Sequence, residues 1–144
     1  MLYEKIALAM SVMFLCTFIH ALFMVVCHRA VDRRLARLGP ARRPFYRTVL
    51  IWVIIMWMLL GIVVEASAWA FIYLFNPWIT VLSDFQSAFY FSLVTYTTLG
   101  YGDIVLTGEW RIFSAIQAAT GTIIFGWTTA LIFYFIQRIY KHDP

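Results

Sequence analysis

Charge is scarce in this 144-residue sequence: 12% of residues are charged, 63% are hydrophobic, and only 7 are acidic. A soluble domain carries about twice that share of charge, so a globule surrounded by water is excluded and a bilayer is the expected solvent. Prolines are few, and Pro40, Pro44, Pro77 and Pro144 all lie between or beyond the apolar runs, which are left without helix breakers. Gly/Ser-rich linkers and internal repeats are absent, which argues against a flexible string of modules. The two cysteines, Cys16 and Cys27, fall inside the first apolar run. No oxidant or metal partner is implied there, so they read as lipid-facing or packing residues. No Ser/His/Asp, paired-carboxylate or metal-ligand constellation is visible, so an enzyme is not expected. A nucleic-acid partner is not expected either.

Three apolar runs remain, each long enough for the roughly 20 residues of a membrane span: Ile6 to Cys27, Thr48 to about Phe75, and Ile112 to Gln137. The first is 22 residues long without Lys, Arg, Asp or Glu and lacks a small-residue cleavage site, so it reads as a true span and not a secretory leader. His20 within it is either a packed polar residue or a proton sensor. Seven of the 11 basic residues (Arg29, Arg33, Arg34, Arg37, Arg42, Arg43, Arg47) crowd between the first two runs, offset locally only by Asp32. Short basic loops stay cytoplasmic. The N-terminus is therefore expected outside, with the 28–47 loop and the C-terminus inside a plasma (inner) membrane; Arg138 and Lys141 give the same orientation. His28 to Leu38 suits a short helix lying on the headgroups and ended by Pro40. The basic run is a topology anchor drawn to anionic lipid or a lipid-operated regulator. A voltage sensor is disfavoured, because its arginines would ride within an apolar span.

Between Phe75 and Ile112 the chain shows loop character at Asn76-Pro77. A semi-apolar stretch follows, Phe85 to Tyr96, that is too short to cross a membrane. It must enter and return. Ser83 or Asp84 can cap its N-terminus, and non-helical backbone at membrane depth is tolerated only against protein or water. Next comes Thr98-Leu99-Gly100-Tyr101-Gly102-Asp103.

On these residues the chain resembles the potassium channel pore family, whose filter reads Thr-Val-Gly-Tyr-Gly, usually followed by Asp. The match has one substitution, Leu99 for Val, and Thr95 and Thr97 fit the family's Thr-x-Thr-Thr run. The likeness extends more loosely over about Thr48 to Tyr140. It implies an all-α membrane protein with three transmembrane helices, a re-entrant pore helix and a selectivity filter, forming a tetrameric channel. Residues 1–47 are then an N-terminal transmembrane helix with a basic cytoplasmic loop, and residues 48–144 a pore domain. Within it the outer helix covers about 48–75, the pore helix about 84–97, the filter 98–103 and the inner helix about 109–140. The implied function is passive, potassium-selective conduction, with K+ as permeant ion and no cofactor. A less selective cation channel, a transporter subunit and a non-conducting accessory subunit are the alternatives.

A filter requires backbone carbonyls to replace the water shell of a cation. Successive carbonyls can all turn inward only if alternate residues reach left-handed dihedrals, which Gly100 and Gly102 permit. The expected ligands are the carbonyls of Thr98, Leu99, Gly100 and Tyr101, with the Thr98 hydroxyl at the inner mouth, while the Leu99 and Tyr101 side chains turn away into protein. Filter support is assigned to Asp103, Tyr90, Phe91, Val94, Thr95 and Glu65. Tyr90 and Phe91 occupy the family's usual Trp-Trp positions, and Val94 stands where some bacterial relatives carry Glu. Tyr90 either donates to Asp103 or simply packs. Glu65 lies about 25 Å along its helix from Thr48, facing the pore helix, Arg111 or water, unless it snorkels to the interface.

The inner helix would be about 48 Å long. Gly121 is its expected hinge and Gly126 a second soft point, with close helix packing as the rival for both. Gly121, Phe125, Thr129 and Phe133 share one face at i, i+4, i+8 spacing, assigned to the cavity. There Phe133 closes the path by dewetting or packs against lipid. One chain supplies one filter loop and a filter needs four, so a homotetramer is expected. Only six residues follow Arg138, so no cytoplasmic ligand-binding domain is expected and the opening stimulus is not readable.

Overall fold

The computed structural model describes residues 2–37 and 44–140. Among these, four helices and one short 3-10 turn occur and no strand. α1 spans Leu2–Arg37, α2 Pro44–Leu74, α3 Phe85–Tyr96 and α4 Trp110–Tyr140, with the 3-10 turn at Thr80–Leu82. α1, α2 and α4 are long and apolar enough to cross a membrane. α3 has 12 residues, about 18 Å of helix, and is too short to do so. The connections explain the boundaries. Pro44 opens α2, where its missing N–H would have had no helical partner. After α2 the Asn76 side chain accepts from the Trp78 amide at 3.0 Å and turns the chain. Asp84 then caps α3 by accepting from the Ser87 amide at 2.9 Å, which holds its carboxyl below the usual carboxylate value.

α3 is wedged between α2 and α4, and α1 lies along the same two long helices. The core is aromatic at the α3 end of the bundle: Trp69 and Tyr73 of α2, Phe91 and Tyr96 of α3, and Phe113 of α4 are all buried. Trp69 and Tyr73 meet the Phe113 ring edge-on at centroid distances of 5.2 and 5.5 Å, the arrangement the ring quadrupoles favour. A second cluster at the other end joins Cys27, Val31, Ile54, Phe135 and Ile139. Both cysteines are free and buried, so they pack against protein and do not face lipid.

α1 is fastened along its length. Near its start Lys5 Nζ lies 2.6 Å from Glu109 Oε2, and this bond holds the Glu109 carboxyl below its ordinary value. Midway, Trp57 Nε1 donates to the Phe23 carbonyl at 3.0 Å, and Gly61 leaves room for the Phe23 ring. Near its end Asp32 meets Arg138 of α4 at 2.8 Å and His28 at 3.3 Å.

Two expectations are corrected here. The basic segment is not a separate helix on the headgroups: α1 continues unbroken through Arg37, because nothing between Cys27 and Arg37 is a Gly or Pro and Arg, Ala and Leu are good helix formers. Arg47 is not in a loop but in the first turns of α2, buried with its guanidinium 5.6 Å from the Tyr140 ring. Leu38, Pro40, Arg42, Arg43 and Lys141 lie outside the described residues.

Trp69 fills the centre of the aromatic core with no exposed surface. Trp69→Ala is expected to cost about 3–5 kcal/mol, read as a lower unfolding temperature of the purified protein in detergent.

Candidate functional site

The site is a loop hung from the C-terminus of α3. The amides of Thr97 and Thr98 donate to the carbonyls of Leu93 and Thr95 at 2.9 and 3.0 Å, and those of Leu99 and Gly100 both reach the Val94 carbonyl at 3.0 and 3.4 Å. The backbone then alternates: Thr98 has φ 60°, Gly100 φ 55° and Gly102 φ 80°. Left-handed dihedrals at every second residue turn consecutive carbonyls towards one side, where an extended strand would alternate them. The glycines are needed for this dihedral and not for space, since a Cβ at Gly100 or Gly102 would meet nothing within 4 Å. Thr98 is the surprise, as a β-branched residue at positive φ is an outlier held in place by its surroundings.

Tyr90 donates its hydroxyl to Asp103 Oδ2 at 2.7 Å, tying the outer end of the loop to α3. This bond is the main reason the Asp103 carboxyl lies below its ordinary value of 3.8. Phe91 is buried and meets the Tyr73 ring edge-on at 5.2 Å. Val94 is buried, and Thr95 contributes its carbonyl to the Thr98 amide. Leu99 and Tyr101 are not covered by their own chain; they are 60% and 68% exposed.

Behind the loop Glu65 is fully buried. Tyr96 donates to its Oε2 at 2.7 Å, and His20 Nδ1 lies 3.0 Å from its Oε1. Snorkelling is thus overturned, and so is a pairing with Arg111, which is exposed at the start of α4. Two hydrogen-bonding partners within reach of the carboxyl group decide the matter. A second buried chain runs beside it: Tyr73 donates to Gln117 Oε1 at 2.7 Å, Gln117 Nε2 donates to the Ser92 hydroxyl at 2.8 Å, and Ser92 donates to the Ala66 carbonyl. Gln117, Ser92 and Tyr96 were not singled out from the sequence. A glutamine inside an apolar run was the available signal.

On α4 the four residues assigned to one cavity face do not share an environment. Gly121 is buried, Phe125 is half-buried against the core, and Thr129 and Phe133 are exposed. A Cβ at Gly121 would stand 1.8 Å from the Tyr96 carbonyl oxygen, so close packing of α4 on the foot of α3 accounts for this glycine. Gly126 has nothing within 4 Å of such a Cβ.

Known proteins share part of this sequence. A family model described as "Ion channel" matches residues 52–138, more than half of the chain, and the chain belongs to that family. It is also 37% identical over 59 residues to a two-pore potassium channel of Arabidopsis thaliana, a match covering 40% of this chain and 18% of the relative. No solved structure matches. By its three long apolar helices and its ion-channel family the chain is an integral membrane protein.

Two tests follow from the geometry. Gly121→Ala is expected to destabilise the protein by about 1–3 kcal/mol, because backbone must move. Gly126→Ala, which meets nothing and favours helix, should leave the unfolding temperature unchanged or raise it. Tyr90→Phe should move the Asp103 carboxyl up towards 3.8, seen by NMR titration of labelled aspartate. Since the bond depresses that pKa, its contribution is present above the ordinary value and is lost as pH falls through the lower value in the folded protein.

Proposed function

We propose that the chain conducts K+ selectively and passively, as one subunit of a homotetramer. The observation that carries this reading is the left-handed backbone recurring at Thr98, Gly100 and Gly102. It presents the carbonyls of Thr98, Leu99, Gly100 and Tyr101, with the Thr98 hydroxyl below them, as ligands for a dehydrated cation. Gly102 completes the turn to Asp103. A ring of four such loops supplies the shell that one chain lacks. The uncovered Leu99 and Tyr101 side chains support assembly, since in a closed ring a neighbour buries them. K+ is the permeant ion and no cofactor takes part.

The same reading places the filter end of the bundle outside. Lys5 contacts Glu109 at that end, which puts the N-terminus outside too, and the exposed Arg29, Arg33 and Arg34 lie at the cytoplasmic face of a plasma membrane, where they attract anionic lipid. Thr129 and Phe133, exposed on α4, are the residues left for the cavity and the cytoplasmic mouth. A less selective cation channel is the second reading, favoured by Leu99 in place of Val behind the carbonyls.

Purified protein in liposomes tests the proposal. K+ flux blocked by Ba2+, with Na+ flux far slower, is the expected result. Equal K+ and Na+ fluxes point to the second reading, and absence of any flux from tetrameric protein sinks both.

A further inference from the structure

One chain of buried polar side chains that conduction itself does not use ends on Tyr96. Its hydroxyl donates to Glu65 Oε2 at 2.7 Å, Glu65 Oε1 lies 3.0 Å from His20 Nδ1, and His20 Nε2 lies 3.3 Å from Thr128 Oγ1. One connected set of hydrogen bonds thus links α3, α2, α1 and α4. His20, Glu65 and Tyr96 have no exposed surface. The other groups against the pair are the Cys16 thiol, 3.9 Å from the Glu65 carbonyl, and the Trp127 ring, 5.4 Å from His20. No Lys or Arg partner for Glu65 occurs among the described contacts, so the carboxylate's fixed partners are His20 and the Tyr96 hydroxyl.

Tyr96 is held at both of its ends. Its hydroxyl is bonded to Glu65, and its carbonyl is the atom against which Gly121 packs. It is also the last residue of α3, two positions before Thr98 with its left-handed φ of 60°. Such a dihedral at a β-branched residue persists only where the surroundings over-determine it. The Thr97 and Thr98 amides bond back to carbonyls of the same last turn, so any rotation of that turn passes to Thr98 directly. A hydrogen bond buried away from water is electrostatically stronger than an exposed one, which makes Glu65 a firm point to which the turn is attached.

We propose that His20 and Glu65 are positioning residues for the filter: acting through Tyr96, they set the angle at which α3 delivers Thr98 to the ion path. α1 lies outside the matched residues 52–138, and in this inference it is nonetheless part of the selectivity apparatus. The inference rests on the potassium-channel reading above. It differs from a packing role for His20, which would change stability and leave ion preference untouched.

The test measures reversal potential under a K+/Na+ gradient with full-length protein in planar bilayers, and assembly by size-exclusion elution. Tyr96→Phe removes only the hydroxyl. The double variant His20→Leu, Glu65→Leu removes the pair without leaving an unpaired buried charge, an exchange that proteins often tolerate. Glu65→Gln keeps an oxygen to accept from Tyr96 and an N–H for His20, and serves as the rescue. With wild type selective for K+, both disruptive variants are expected to raise the Na+/K+ permeability ratio by about tenfold, the scale of one buried hydrogen bond, while Glu65→Gln stays within about twofold of wild type. Wild-type reversal potentials in assembled Tyr96→Phe overturn the inference, and so does a Glu65→Gln protein as unselective as the double variant. If the double variant does not assemble, Tyr96→Phe alone decides. A wild-type protein that fails to select K+ overturns the functional reading instead.

Discussion

A carboxyl group with no access to water must be answered by the protein around it, and Glu65 organises this bundle by that requirement. Burying such a polar group is costly unless hydrogen bonds replace the lost water. Its partners come from the first helix and from the end of the short one, so meeting the requirement brings α1, α2 and α3 to fixed positions. The aromatic core forms round that point, with Trp69 and Tyr73 each edge-on to Phe113. The second chain, through Tyr73, Gln117 and Ser92, joins α2, α3 and α4 in the same way. Hydrophobic matching alone would fix these helices weakly in a bilayer, where lipid is as apolar as leucine. Buried polar bonds supply the register.

Much of the fold was legible because apolar run length maps directly onto span length. Three runs gave three long helices, and the run too short to cross became α3. Boundaries shifted where local chemistry ruled: Pro44 begins α2 instead of preceding it, and α1 runs on through its arginines because charge alone does not end a helix. The basic segment misled for that reason. A pattern of Arg interleaved with Ala, Val and Leu is the same whether the helix lies on a surface or continues out of one.

The loop after α3 was legible in its residues, since Gly100 and Gly102 announce positive φ. Thr98 was not, because its strain comes from the last turn of α3 and leaves no mark on its own identity. Glu65 stood out in sequence as a charge in an apolar run, but its partners did not: His20 is 45 positions away and Tyr96 31. Helical periodicity on α4 placed Gly121 in line with Phe133, and gave no sign that Gly121 packs against the Tyr96 carbonyl. Periodicity reports which residues share a line along a helix. It is silent on which neighbour that line meets when the neighbour is only 12 residues long.

The bond between His20 and Glu65 also has an order in time. Synthesis runs from the N-terminus, so α1 reaches the bilayer before α2 is made. When Glu65 follows, an acceptor or donor for its carboxyl is already in place at membrane depth, and the polar group that would otherwise resist insertion enters beside a ready partner. The first helix therefore acts as a template during membrane entry, before any loop exists for it to support.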